Sequence, residues 1–401
     1  MERRAFLKVL AQAAAVAFWW RKEKVAFSQP PSGAKLPARR TPTRVSLAGV
    51  GRGASPQIVR SAVRAAAESA TDFSWLSKGD AVFIKPALNS GNPYPATTSP
   101  EAIGAVVEIL KDKGARRVIV GDMCGIEHVK LSQESLSGSS RQLMEASGMA
   151  RAAEAAGAEL HFFEEAGWST FYEDFPAGGS HWKQGLMMPC ILKEVDHIIL
   201  MPRCARHVLA GSTLGLKAAV GYWRTDTRLE YHKDASTFQE KTAEGNTVNT
   251  LLKKQRLVLS AADKILTTFG PDKGFVSQPE IGLVMASESV VAHDMVSLAW
   301  LLENRLAVPS SEKEGFKDPY GSQVMVSAAN HWVVSKLGGL GQAIGSERLN
   351  RKDINTIWDD RVLNRAYQVF AGMPAVVLDP ANDVVPHALK KRLAECTTPP
   401  A

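Results

Sequence analysis

The chain reads as an α/β protein with a mainly parallel sheet flanked by helices, arranged as one body or as two α/β lobes. Three observations predict this. Short β-branched runs alternate with longer amphipathic stretches from Val45 onward, the pattern of parallel strands joined by helical crossovers. One strand, helix, strand unit is explicit between Ala81 and Val120. A 45% hydrophobic composition over 401 residues is enough for one large core or two moderate ones.

The explicit unit starts with Ala81 to Lys85 (AVFIK), a buried-strand run stopped by Pro86. Ser99 then offers an N-cap, Pro100 the favoured first helical position and Glu101 a negative charge at the positive end of the helix. Ile103, Val106, Val107 and Leu110 follow on one face. Gly114 closes the helix, and Arg117 to Val120 begins the next strand. Further strands are predicted at Val45 to Leu47, Leu160 to Phe163, His197 to Met201, Lys264 to Thr268 and Gly282 to Ala286. Helices are predicted over Pro56 to Ser69, Ser140 to Ala155, Thr247 to Ala261, Val290 to Leu302 and Gln323 to Leu337. No repeat of 20 to 50 residues is present, and periodicity is weak after Asn350.

The N-terminus predicts an address. Glu2 to Lys8 (ERRAFLK) resembles a twin-arginine translocation motif, and Val9 to Trp20 is an apolar run too short for the roughly 20 residues of a membrane-spanning helix. Ala26, Phe27 and Ser28 supply a small-x-small cleavage pattern. Residues 1–28 are therefore expected to be a signal peptide, with the twin-arginine translocase as partner and the periplasm, or another exported location, as destination. Residues 29–44, rich in Pro, Gly and Arg, read as a linker. Residues 45–350 read as the α/β domain and 351–401 as a C-terminal extension.

Formal charge is +7, but the signal segment carries four of those charges. The remainder is no nucleic-acid signature. No later apolar run is long enough for a membrane span. Four cysteines without a C-x-x-C pair argue against a disulfide scaffold and against an intrinsic iron-sulfur cluster.

Ligands of open parallel sheets bind beyond the carboxyl ends of the strands. The strand ending at Lys85 leads to Asn89, Ser90, Gly91 and Asn92. The strand ending near Gly121 leads to Asp122, Cys124 and His128. The strand ending at Met201 leads to Arg203, Cys204 and His207, and the one ending at Thr268 leads to Gly270, Pro271, Asp272 and Gly274. Such a rim suits a small anionic ligand and acid-base work. Lys85, Arg203, Lys217 and Asn89 are candidates for holding the ligand, with His207, Asp122 and Lys85 as catalytic candidates. A bland reading stands beside each: a solvated lysine, a turn-capping aspartate, a structural histidine.

Cys124 and His128, with Cys204 and His207, also have the donor types of a tetrahedral zinc site or a softer copper or iron site. A Cys124 to Cys204 disulfide or two unconnected buried thiols are the alternatives. The turn Gly211 to Gly215 (GSTLG) could offer amides to an anion, but it lacks Walker spacing, and no G-x-G-x-x-G follows a strand. Trp223, Tyr231 and His232 read as a surface loop or a lid, Trp300 and Trp332 as core. Asp294 reads as a rim partner or a helix-dipole residue.

Four blocks of the chain resemble the domain-of-unknown-function family 362: FIKPALNSGNPYPATTSPEAI (Phe83 to Ile103), GARRVIVGD (Gly114 to Asp122), MPRCARHVLAGSTLGLKAAVG (Met201 to Gly221), and FGPDKG with MASESVVAHDMVSLA (Met285 to Ala299). The resemblance implies that Lys85, Asp122, His207, Lys217 and Asp294 are the family's polar positions. The chain departs from the family pattern at Ala87, at Cys204 or Ala205, at Ala218 and at Ser289, and the cluster-binding domain that many members carry is not expected in it. The resemblance supplies no reaction. The expectation is an exported enzyme acting on a small anionic substrate. A Cys/His metalloprotein and a non-catalytic ligand-binding protein are the alternatives, and the cofactor is unassigned beyond a transition metal.

Overall fold

The computed structural model describes residues 39–177, 180–350, 353–370 and 372–400. Residues 1–28, read from the sequence as a signal, therefore lie outside the described residues. An eight-stranded sheet organises the fold, with strands β1 (Arg39–Gly51), β2 (Ala81–Pro86), β3 (Arg117–Asp122), β4 (Glu159–Phe162), β5 (His197–Met201), β6 (Gln255–Ala262), β7 (Ile281–Ser287) and β8 (Met373–Pro380). Their order is β8-β1-β7-β6-β5-β2-β3-β4. All pairs are parallel except the two that β7 makes with β1 and β6. The α/β class read from the sequence is the class observed, built on one large sheet beside smaller ones.

The first crossover has the predicted grammar. Ser99 accepts from the Ala102 amide, Pro100 opens the helix Pro100–Asp112, and Lys113 closes it. Side chains alternate between two cores on the two faces of the sheet. Ala48, Val50, Leu257, Leu259 and Val284 belong to one, and Val45, Leu47, Val258, Leu283 and Met285 to the other.

Several elements differ from expectation. The helix predicted over Thr247 to Ala261 ends early: Asn249–Lys254 is helical, and Gln255–Ala262 is the strand β6. Covered on both faces, β6 is apolar without alternation, and a short apolar run of that kind has no period to separate strand from helix. Gly148, at φ 84°, divides the predicted helix Ser140 to Ala155 into Ser140–Ala146 and Met149–Ala155. The strand predicted at Lys264 to Thr268 is only Ile265–Leu266, in a separate four-stranded sheet. Strand β1 begins at Arg39, inside the stretch read as linker. Residues 351–401, read as an extension, supply the edge strand β8, and Leu363, Tyr367, Leu389 and Leu393 belong to the second core. Among the described residues no helix is long and apolar enough to cross a membrane.

Candidate functional site

Strands β2 and β3 are parallel neighbours, with Ile84 opposite Val120. Their carboxyl ends therefore deliver Lys85 and Asp122 side by side. Lys85 Nζ lies 2.8 Å from Asp122 Oδ2, and both side chains are buried. The ammonium also donates to the Pro86 carbonyl at 2.7 Å. The carboxylate accepts from the amides of Leu88 at 3.0 Å and Met123 at 2.8 Å. Burial pushes Lys85 down and Asp122 up, and each charge opposes the shift of the other. With every oxygen of Asp122 engaged, the pair is a fixed ionic floor. Gly221 packs on it so closely that a Cβ there would collide with Lys85 Nζ and Asp122 Oδ1.

Above this floor is a cavity of about 790 Å³. His207, Lys217, Arg228 and His232 also line it, as do Asn89 and Asp272. His207 ends the strand Ala205–His207, which pairs antiparallel with Gly211–Thr213. In the intervening turn the amides of Leu209 and Ala210 donate to His207 Nδ1 at 3.1 and 3.3 Å. Nδ1 must therefore carry the lone pair, leaving Nε2 as an N–H donor. Burial, then the charges of Lys217 and Arg203, push the imidazole well below its ordinary value, so it is neutral.

His232 has the opposite tautomer. Asn330 Nδ2 donates to the His232 carbonyl at 2.8 Å, which orients the amide so that Asn330 Oδ1 accepts from Nδ1 at 2.8 Å. Its Nε2 is then an acceptor. Burial outweighs the Asn330 bond, and with the nearby charges of Lys217 and Arg228 it holds the ring at about 3. Arg228 lies one helical turn earlier on Thr225–Lys233. It donates to the carbonyls of Cys124, Met123 and Gly221 at 2.7 to 2.9 Å, tying the β3 turn to the Gly221 turn.

Lys217 sits in the short helix Gly215–Ala218. Asp294, from the helix Val290–Leu306, accepts from the amides of Gly215 at 2.8 Å and Leu216 at 2.7 Å. Gly215 permits this approach, since a Cβ there would meet Asp294 Oδ1 at 2.8 Å. Asp294 is therefore a positioning residue that holds the turn presenting Lys217. The Lys217 ammonium makes no hydrogen bond among the described residues and stands 5.7 Å over the Tyr231 ring. Burial, reinforced by the charges of Arg228, Arg203 and Lys85, pushes it down to about 7.

The rim predicted from four strand ends is thus partly assembled. Lys85, Asp122, His207 and Lys217 line one cavity, and Asn89 lines it while donating to Asp272 Oδ1 at 3.2 Å. Arg203 stands behind the cavity rather than in its wall, buried, with no hydrogen-bond partner on any guanidinium nitrogen. Burial outweighs the nearby Asp272 and Cys124 and lowers it to about 10. The four-residue Cys/His site is not formed. Cys124 belongs to one core and Cys204 to the core on the opposite face, where its thiol donates to the Ser297 carbonyl at 3.4 Å. Both are free, so the disulfide alternative is not formed either. His128 instead joins Glu127 and Asp272, with ligating atoms all within 4.8 Å of one another.

Sequence reasoning did not single out Arg228, offered His232 only within a surface loop or lid, and predicted the helix Gln323–Gly338 without placing it in the cavity wall. Trp223 and Tyr231 are fully buried, not parts of a surface loop, with Tyr231 stacked 4.0 Å from the Phe238 ring. Trp300 is core as expected, but Trp332 is half-buried in the cavity wall. The i, i+4 spacing of Arg228 and His232 was the available signal.

A family model described as Domain of unknown function (DUF362) matches residues 82–299, more than half of the chain. Among solved structures, the lactate racemase apoprotein from Thermoanaerobacterium thermosaccharolyticum is similar at 14% identity and a TM-score of 0.37, over 67% of this chain and 57% of that one. The chain thus spans less than two thirds of that protein's length. No curated protein matches.

Proposed function

The chain belongs to the DUF362 family, and on that premise we propose that it is an exported enzyme performing acid-base chemistry on a small anionic substrate at the carboxyl rim of the sheet. The ERRAFLK motif supports export. One observation carries the chemistry. Lys217 is a cation without a counter-ion, crowded by other cations, in a cavity where two histidines are held in opposite proton roles. An anion seated at Lys217 relieves that repulsion, which draws a proton onto the lysine and eases the depression of His232. His207 Nε2–H then donates to a substrate oxygen, and His232 Nε2 accepts a proton. Asp122 is not part of this relay, because its oxygens are committed to Lys85 and two amides.

Two measurements test the reading. Calorimetric titration of butyrate at pH 8 in buffers of different ionisation enthalpy should show proton uptake, and its absence would count against Lys217 as the anion site. Solvent deuterium incorporation into a panel of carboxylates with acidic α-carbons should be detectable by NMR and lost in His232→Gln. Exchange that survives in that variant removes the relay.

Glu127, His128 and Asp272 favour a second reading, a divalent cation at the cavity mouth bound by one imidazole and two carboxylates. Titration with Mn²⁺ or Zn²⁺ should give one site per chain that His128→Ala abolishes. A flat titration excludes it.

A further inference from the structure

The cavity is much larger than a small anion needs, and its far wall is apolar. Its volume of about 790 Å³ falls in the upper part of the roughly 300–1,000 Å³ that accommodates drug-sized ligands. Lys85, Asp122, Lys217 and Arg228 meet at the floor, and Glu127, Asp272, Lys273, Glu312 and Lys317 also line the cavity. Val208, Val220, Phe269, Trp332, Val333 and Leu337 line an apolar stretch of it. Three of these come from the helix Gln323–Gly338, where Ala329, Trp332, Val333 and Leu337 share one face. That face turns toward the cavity, and Ala329, Trp332 and Val333 are only half-buried. A surface helix normally spends its apolar face on the core. Here part of that face is spent on the cavity, and the area it leaves accessible is available to a ligand at roughly 25 cal/mol per Å².

We propose that the site is built for an amphiphilic anion, with its charged head at Lys217 and its apolar body along the Gln323–Gly338 helix. This deepens the anionic-substrate reading above and rests on it. The floor alone would serve a two- or three-carbon acid, whereas the wall gains energy only from a longer aliphatic or aromatic body. Selectivity then comes from both ends: neutral hydrophobes leave Lys217 uncompensated, and short acids leave Trp332 and Val333 uncovered.

The experiment is calorimetry on the full chain with n-alkanoates of four to ten carbons and the matching n-alkanols. Affinity for the acids should rise about threefold to fourfold per methylene until the wall is covered, and each alcohol should bind at least tenfold more weakly than its acid. The neutral change Val333→Asn should flatten the rise of affinity with chain length across the acid series, and a slope unchanged from the parent protein overturns the assigned wall. Trp332→Gln provides the same test if the first variant fails to fold. Affinity that is flat with chain length overturns the amphiphile while leaving the anion reading intact. Alcohols that match the acids overturn the anion reading, and failure of every acid and alcohol to bind overturns both.

Discussion

Replacing Lys217 by methionine should make the protein more stable, in a manner that depends on pH. An ammonium with an ordinary value of 10.5 is held at about 7, which corresponds to about 5 kcal/mol of strain on its charged form. Water reaching the half-buried side chain through the cavity mouth roughly halves this, to about 2–3 kcal/mol. The groups facing it are the cations Arg203, Arg228 and Lys85 and the ring of Tyr231, while the carboxylate of Asp122 is taken by Lys85. Between about pH 7 and 10.5 the unfolded chain binds a proton that the folded chain does not, so stability rises with pH across that window, and the penalty is fully present below it. Lys217→Met removes the penalty. Scanning calorimetry should therefore show a Tm higher by about 4–6 °C at pH 6, at roughly 2 °C per kcal/mol, with the difference shrinking toward zero by pH 10. A variant that is less stable at pH 6, or whose Tm difference does not change with pH, refutes the reasoning.

The Lys85–Asp122 pair behaves oppositely, because removing one partner strands a buried charge. Asp122→Asn should cost about 3–5 kcal/mol in urea unfolding, and the double variant Lys85→Met with Asp122→Leu should cost less than either single change; a single-variant cost under about 1 kcal/mol contradicts the buried pair. His207 should give nitrogen-15 shifts of an Nε2–H tautomer and protonate only well below the ordinary imidazole range, since it is buried and its Nδ1 accepts two amides; a midpoint near 6.5 contradicts that assignment. Native protein should expose the thiol of Cys396 to a disulfide reagent, whereas Cys124 and Cys204, both buried and pushed up by burial, should react only on unfolding. Rapid reaction of Cys124 or Cys204 in the native state would show that one of the two cores opens.

Much of the fold was legible because its signals are local. The Ser99–Pro100–Glu101 start, the i, i+3, i+4 face from Ile103 and the buried run of β2 each depend on residues a few positions apart. Expecting Lys85, Asp122 and His207 at one rim needed only the rule about strand ends, whereas Lys217 entered through the turn Gly211 to Gly215 and the family resemblance. Elements whose identity depends on partners were misread: β6 is a strand because β5 and β7 pair with its two edges, and β8 belongs to the sheet because it finds β1, some 330 residues earlier in the chain.

The sequence by itself determined the α/β class, the family and the residue types gathered at the rim, since these follow from periodicity, strand ends and motif order. Only the tertiary structure decided what those residues can do. Two amides fix the His207 tautomer, a distant asparagine fixes that of His232, and Lys217 is pushed down by burial and then by cations from three other segments. The sheet separates Cys124 from Cys204, and a helix more than a hundred residues from Lys217 supplies the apolar wall. Proton affinity and ligand shape depend on neighbours in space, and in this chain those neighbours are far apart in sequence.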